Sequence, residues 1–261
     1  MTNIILSSGG FVFKFVRYVG ELTVLLGQTI YLSFIPPFKG ERFLSQAKRV
    51  GPGSFFIAAL VAFFIGMIIA LQMAYQMVKL SAEIYIPNVV AVSLTRELGP
   101  VLTALIVAGR IGAGITAEIG SMTVTEQVDA LKAFAVNPVK YLVVPRFLAL
   151  IVMLPLLTVF AILISIYGGY IICVYKLFIS PAMYINMVVE SVAMKDIVTG
   201  LIKTLFFGAI IALVGCREGL NVKGGAEGVG RATTISVVLS FILIIMTDCL
   251  FTTMFYFIFR A

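Results

Sequence analysis

The sequence predicts an all-α, polytopic membrane protein with five transmembrane helices, an N-terminal interfacial helix and a short amphipathic cytoplasmic helix. Three observations carry that prediction: composition, the length of the apolar runs and the placement of the basic residues. Among 261 residues 61% are hydrophobic and 12% charged, and mean hydropathy is +1.12, values that exclude a soluble domain. Several runs approach the roughly 18–20 apolar residues that cross a bilayer as a helix. None shows the short alternating pattern of an outer-membrane barrel. The net charge of +7 fits topology signals and contacts with anionic headgroups. No aromatic-basic platform accompanies it, which argues against a nucleic-acid binder. The chain has no histidine, so His-based catalysis, His metal ligation and a histidine proton relay are excluded. Cys173, Cys216 and Cys249 fall in three different apolar runs, a spacing that suits neither a disulfide framework nor a metal site.

Residues 10–35 read as a helix with a polar stripe of Lys14, Arg17, Glu21 and Gln28. Phe11, Phe15, Val19, Leu22, Leu26 and Ile30 occupy the rest of its surface. Such a helix lies in the headgroup plane; the alternative is a sixth span with its charges near the start. Pro36-Pro37 ends it, and a basic stretch follows, so residues 1–50 form an interfacial or elbow segment ahead of a five-helix domain at 51–261. The spans are expected at about 54–78, 86–109, 147–175, 197–216 and 235–259, with Pro155 a kink in the third. No internal repeat points to an inverted-repeat transporter.

Orientation follows from the basic residues. Lys14, Arg17, Lys39, Arg42, Lys48 and Arg49 precede span one. Arg110, Lys132, Lys140 and Arg146 lie between spans two and three, and Arg217, Lys223 and Arg231 between spans four and five. The opposite side has Lys79, Lys176, Lys195 and Arg260. This places the N-terminus in the cytoplasm and the C-terminus outside. With no cleavable-signal or transit-peptide pattern at the start, insertion is expected to rely on internal helices.

Two cations remain inside spans, Arg96 and Lys203. Arg96 lies ten residues into span two, roughly 15 Å deep at 1.5 Å per residue. Pro100 has no N–H, so the Arg96 carbonyl loses its helical partner. Glu97 and Asp248 are the candidate counter-charges. A charge at bilayer depth costs about 2.5–3.5 kcal/mol on insertion scales, so these four either pair to hold the bundle or line a polar pocket. A pocket containing Arg would suit an amphiphile with an anionic headgroup, because the planar guanidinium donates two hydrogen bonds at once.

The connection from Arg110 to Arg146 is the longest on the cytoplasmic side. Thr123 and Glu126 have capping-box spacing, which predicts a helix running to about Val136 and stopping at Asn137-Pro138. Its apolar face holds Val124, Val128 and Leu131, and Glu126, Gln127, Asp129 and Lys132 are polar. It either docks a soluble partner or caps the bundle. Gly109, Gly112, Gly114 and Gly120 permit close helix approach. The cluster Gly224, Gly225, Gly228 and Gly230 lacks phosphate-loop spacing, and no Walker motif occurs anywhere. Any ATP-driven work therefore needs a second chain to bind ATP and Mg.

RELGP at 96–100, AGRIGAGITAEIGSM at 108–122, TEQVDAL at 125–131 and NPVKYLVVPR at 137–146 follow one another in the sequence. Gly168-Gly169, LIK at 201–203 and EGVGRATT at 227–234 continue the set. In identity and order these pieces resemble the MlaE family, the permease subunits of ABC-type lipid transporters of the Mla and Mce systems. The resemblance runs from span one to the C-terminus. It implies a homodimer that binds phospholipid at the dimer interface, for which the reading of the intramembrane charges offers Arg96, Glu97, Lys203 and Asp248. It further implies a cytoplasmic ATPase docked on a coupling helix through Glu118, Thr125, Glu126, Gln127, Asp129 and Lys132. An MCE-domain protein would sit on the periplasmic side of a bacterial inner membrane. Rivals from other classes are an ion or solute channel lined by Arg96, Glu97 and Lys203, and a membrane scaffold for an ATPase.

Overall fold

The computed structural model describes the backbone of residues 2–36 and 40–260 and the side chains of 16–36 and 40–257. The expected roles of Phe11, Lys14, Phe15, Pro37, Lys39 and the Arg260 side chain lie outside the described residues. Among the described residues the chain is helical, with no strand. Five helices are long and apolar enough to cross a membrane: α2 (Gly40–Leu80), α3 (Glu83–Val124), α5 (Val139–Tyr175), α7 (Met194–Leu220) and α8 (Gly225–Arg260). Three further helices complete the chain: α1 (Thr2–Ser33), α4 (Gln127–Ala133) and α6 (Pro181–Ser191). Helix α2 is continuous through residues 50 and 51.

Helices α3 and α7 run through the centre of the bundle. Helices α2 and α5 pair along one flank, and α8 packs on α3 and α7 at the other. One apolar core fills the basic end, with Val107, Ile111, Ile119, Phe147, Leu150, Phe207 and Ile211 at its heart. A second core, with Ile86, Val90, Leu94, Cys173 and Tyr184, fills the opposite end.

The α2–α5 pairing depends on glycine. A Cβ on Gly66 would strike the Ser165 carbonyl, and one on Gly168 would strike the Phe63 carbonyl, so each backbone occupies the other's side-chain space. Without a hydrophobic drive between helices in lipid, this close approach supplies van der Waals contact. Gly66→Ala should therefore destabilise by about 1–3 kcal/mol, the usual range for overpacking. Gly230→Ala, with nothing within 4 Å of the added carbon, should not. Thermal unfolding of both variants in detergent checks the contrast, and equal midpoints would contradict this account of the pairing.

The Gly-rich stretch after residue 109, expected as a connection, is instead the second half of α3. Gly112, Gly215 and Gly219 let α3 and α7 meet closely: Gly215 lies against the Gly112 carbonyl and Gly219 against Ile119. Burial at that crossing outweighs the weak helix propensity of glycine. The capping box is not formed. Thr123 stays inside α3, where its hydroxyl donates to the carbonyls of Ile119 (2.9 Å) and Gly219 (3.1 Å). Glu126 adopts a left-handed φ of 60° at the N-cap of α4 and makes no side-chain cap. Helix α4 ends at Ala133 rather than Val136, with Ala135 also left-handed at φ 58°.

Helix α6 was not expected, although Ser180-Pro181 is a helix-start signal. The Ser180 hydroxyl accepts from Met183 N–H at 3.3 Å, and Tyr184 donates to the Ile166 carbonyl at 2.9 Å. Helix α1 is held at the basic end. The Arg217 guanidinium lies 4.0 Å over the Tyr18 ring and donates through Nε to Glu21 at 3.1 Å. Hydrogen bonds from Arg217 and Arg17 keep the Glu21 carboxyl below the usual carboxylate range. Leu22, Leu25 and Leu26 pack against the basic-end core.

Candidate functional site

Residues 94–98 of α3 form a wide, π-helical turn, a distortion that recurs at functional sites because it turns side chains out of helical register. It carries Arg96 and Glu97. Pro100 follows, and the Arg96 carbonyl it deprives of a helical donor accepts a hydrogen bond from Lys203 Nζ at 3.2 Å. The same ammonium donates to Glu97 Oε2 at 2.6 Å and Thr252 Oγ1 at 2.7 Å, and stands 2.9 Å from Asp248 Oδ1. Thr252 in turn donates to Glu97 at 3.0 Å. One lysine thus ties α3, α7 and α8 together, and its side chain is only 2% exposed.

Arg96 faces the other way. Its Nε and Nη2 both reach Asp196 Oδ1, at 2.7 and 2.6 Å, while 47% of the side chain remains exposed. Asp196 is 4% exposed, and its second oxygen accepts the Ala193 N–H at the start of α7 at 3.1 Å. Asp196 was missed because hydropathy starts the fourth span at Ile197. The spacing to Lys203, seven residues or two helical turns, would have placed both on one face of the helix.

Between these groups lies a cavity of about 390 Å³ lined by Arg96, Glu97, Lys195, Asp196, Thr199, Lys203, Thr252, Phe255 and Tyr256. Three of the four predicted residues line it directly; Asp248 supports it from behind through Lys203. Lys203 contributes little accessible surface, so the accessible cation on its wall from the predicted set is Arg96. The arrangement offers a guanidinium with a carboxylate on one edge and open space on another, beside apolar helix surface. That chemistry suits a phosphate-bearing amphiphile.

At the basic end the second predicted cluster divides in two. Thr125, Glu126, Gln127, Asp129 and Lys132 are exposed, with Val128 buried beneath them. Local bonds order this face: Lys132 donates to Asp129 at 2.8 Å and Gln127 to the Thr125 hydroxyl at 3.0 Å. Glu118 does not join it. Its carboxylate binds Arg146 of α5 at 2.6 Å and also Arg49 of α2, tying the inner end of α3 to both neighbouring spans.

The family model described as Permease MlaE matches residues 43–254. The chain belongs to the MlaE permease family. A relative in Rickettsia felis, named a probable ABC transporter permease protein, is 41% identical over 98% of this chain and 99% of its own length. A Synechocystis protein of the same description is 43% identical over 78% of each chain, and one from Porphyra purpurea is 41% identical over 74% and 73%. In this MlaE-family permease Glu97, Lys203 and Asp248 meet in one cluster, which Arg96 joins through its carbonyl while its guanidinium pairs with Asp196.

Proposed function

We propose that this chain is the membrane subunit of an ABC transporter that moves phospholipid, holding the headgroup at Arg96. The observation that carries this reading is the half-exposed Arg96 guanidinium, held on one edge by Asp196, in a charged cavity that Phe255 and Tyr256 also line. Lys203, Glu97, Asp248 and Thr252 fix the wall on which Arg96 stands. The MlaE family and the names of the relatives support an ABC permease, and the lipid cargo rests on the chemistry of the Arg96 cavity. Two copies work as a homodimer in a bacterial inner membrane, with the N-terminus in the cytoplasm and the C-terminus in the periplasm. An MCE-domain protein receives or delivers lipid on the periplasmic side. ATP and Mg are bound by a separate ATPase on the exposed face of Thr125, Glu126, Gln127, Asp129 and Lys132. The contacts of α1 with Arg217 support an in-plane helix, since they gather at one end of the bundle instead of spreading along a span.

The test is reconstitution with the ATPase in proteoliposomes holding labelled phospholipid. The account expects ATP-dependent loss of label from the bilayer to an acceptor. Ion flux without lipid movement would favour a channel, and neither activity would favour a scaffold. For the docking face, Glu126→Lys with Asp129→Lys should reduce ATPase capture about tenfold or more, as expected when like charges replace complementary ones. The permease itself should remain inserted and folded, because both residues are exposed. Undiminished ATPase pull-down from detergent extracts would remove this face from the interface.

A further inference from the structure

A second cavity, of about 380 Å³, lies at the basic end, away from Arg96. Its walls are the end of α1 (Leu32, Ile35), the start of α2 (Arg42), the stretch after α4 (Val136, Asn137) and the start of α5 (Lys140, Tyr141, Val144, Pro145). We propose that this cavity binds the headgroup of an anionic phospholipid resident in the adjacent leaflet, at a site separate from the transported lipid.

Charge comes first. Two cations and no acid line the cavity, and among the described residues neither Arg42 nor Lys140 pairs with a carboxylate. Arg146 and Arg217 at the same end, both largely buried, are paired with carboxylates, so acids do balance buried cations here where the fold requires it. Both cations are also positioned in advance. The Arg42 guanidinium stacks 3.5 Å over the Tyr141 ring, a contact that uses the π face and leaves the in-plane N–H fork for an oxyanion. Lys140 Nζ donates to the Pro36 carbonyl at 3.0 Å, which uses one of three donors and holds the ammonium at the rim.

Apart from Asn137, whose side-chain oxygen is taken up by the Val139 N–H, the remaining walls are mainly apolar: Leu32, Ile35, Val136, Val144 and Pro145. A free anion gains nothing from them, whereas a glycerol backbone and the head of an acyl chain bury against them. Position fits as well. Val144 opens the long apolar run of α5, and Phe34 projects beside the cavity with 84% of its surface exposed, so the rim stands where headgroups meet hydrocarbon. Basic pockets between spans at the positively charged face are the usual form of such sites. A zwitterionic headgroup fits less well, because its own cation would face Arg42 and Lys140.

The experiment uses the full-length permease in nanodiscs of phosphatidylcholine doped with a photoactivatable phosphatidylglycerol. The wild type should crosslink within residues 135–145, and Arg42→Gln with Lys140→Gln should weaken that labelling about 30-fold, which is about 2 kcal/mol for two basic residues at tenfold per 1.4 kcal/mol. Arg42→Lys with Lys140→Arg, which keeps both charges, should retain most of it, and Arg96→Ala should leave it unchanged. That last arm separates this site from the substrate cavity. Undiminished labelling in the double Gln variant, with its unfolding midpoint preserved, overturns the proposal. So does displacement by millimolar inorganic phosphate, which identifies a free-anion site. Loss of ATPase capture with unchanged lipid labelling overturns it too, since the cavity is then a protein-docking surface. If the double Gln variant does not fold, failure of wild-type labelling to map to 135–145 has the same force.

Discussion

Replacing Lys203 with methionine should lower the stability of the folded bundle more than any other single change in the spans. The ammonium is buried and faces two carboxylates, a threonine and the orphaned Arg96 carbonyl. Methionine keeps the length and apolar stem but leaves Glu97 and Asp248 without a cation. Removing one partner of a buried ion pair costs about 3–5 kcal/mol. The lower end is expected, since Glu97 is over a third exposed and water at the cavity screens it. Unfolding in detergent should show a clear fall in midpoint. Adding Glu97→Gln and Asp248→Asn should recover most of the loss, because neutral partners need no counter-charge. A variant as stable as the wild type would mean that this cluster does not hold α3, α7 and α8 together.

Arg96→Ala should act differently. The Arg96 side chain is half-exposed, so its removal costs less packing, though Asp196 loses a partner. Copurifying phospholipid per folded permease chain should drop about tenfold or more, the scale of a charge-assisted contact of about 1.5–3 kcal/mol. ATP-driven lipid movement should fall with it, and basal hydrolysis by the assembled complex should change less. Arg96→Lys should restore only part, since a point charge replaces a two-pronged donor. Adding Asp196→Asn to Arg96→Ala removes the unpaired carboxylate and isolates the headgroup contribution from stability. If both Arg96 variants keep wild-type lipid while their midpoints fall, the residue is structural.

The five spans were readable because lipid allows few alternatives: long apolar runs must be helices. Intramembrane charges were equally visible, and charge balance named Glu97 and Asp248 as counter-charges, but only the packing of the helices shows that both face Lys203. Reading failed where tertiary contact overrode a local signal. Thr123 and Glu126 have the spacing of a capping box, yet Thr123 is more useful to the fold across the α3–α7 crossing, where the Gly219 carbonyl accepts its hydroxyl. The glycines from 109 to 120 fell in an expected connection, although their suitability for close helix approach was noted; in the fold Gly112 meets Ile211 of α7 and Gly120 meets Val222 and Val229. Asp196 escaped for another reason. It stands at the edge of an apolar run, where hydropathy draws a boundary, and its role depends on a wide turn in a different helix that no local pattern announces.

The central claim, that the Arg96 cavity holds the headgroup of the moving lipid, is most directly tested by its position. A phospholipid with a photoreactive group next to the phosphate, loaded into the permease–ATPase complex without ATP, should label residues of the cavity wall such as Thr199, Thr252 or Tyr256. ATP addition should reduce that labelling as the lipid is moved on. Labelling confined to the outer apolar face of α8, or cavity labelling that ATP never changes, would contradict the account.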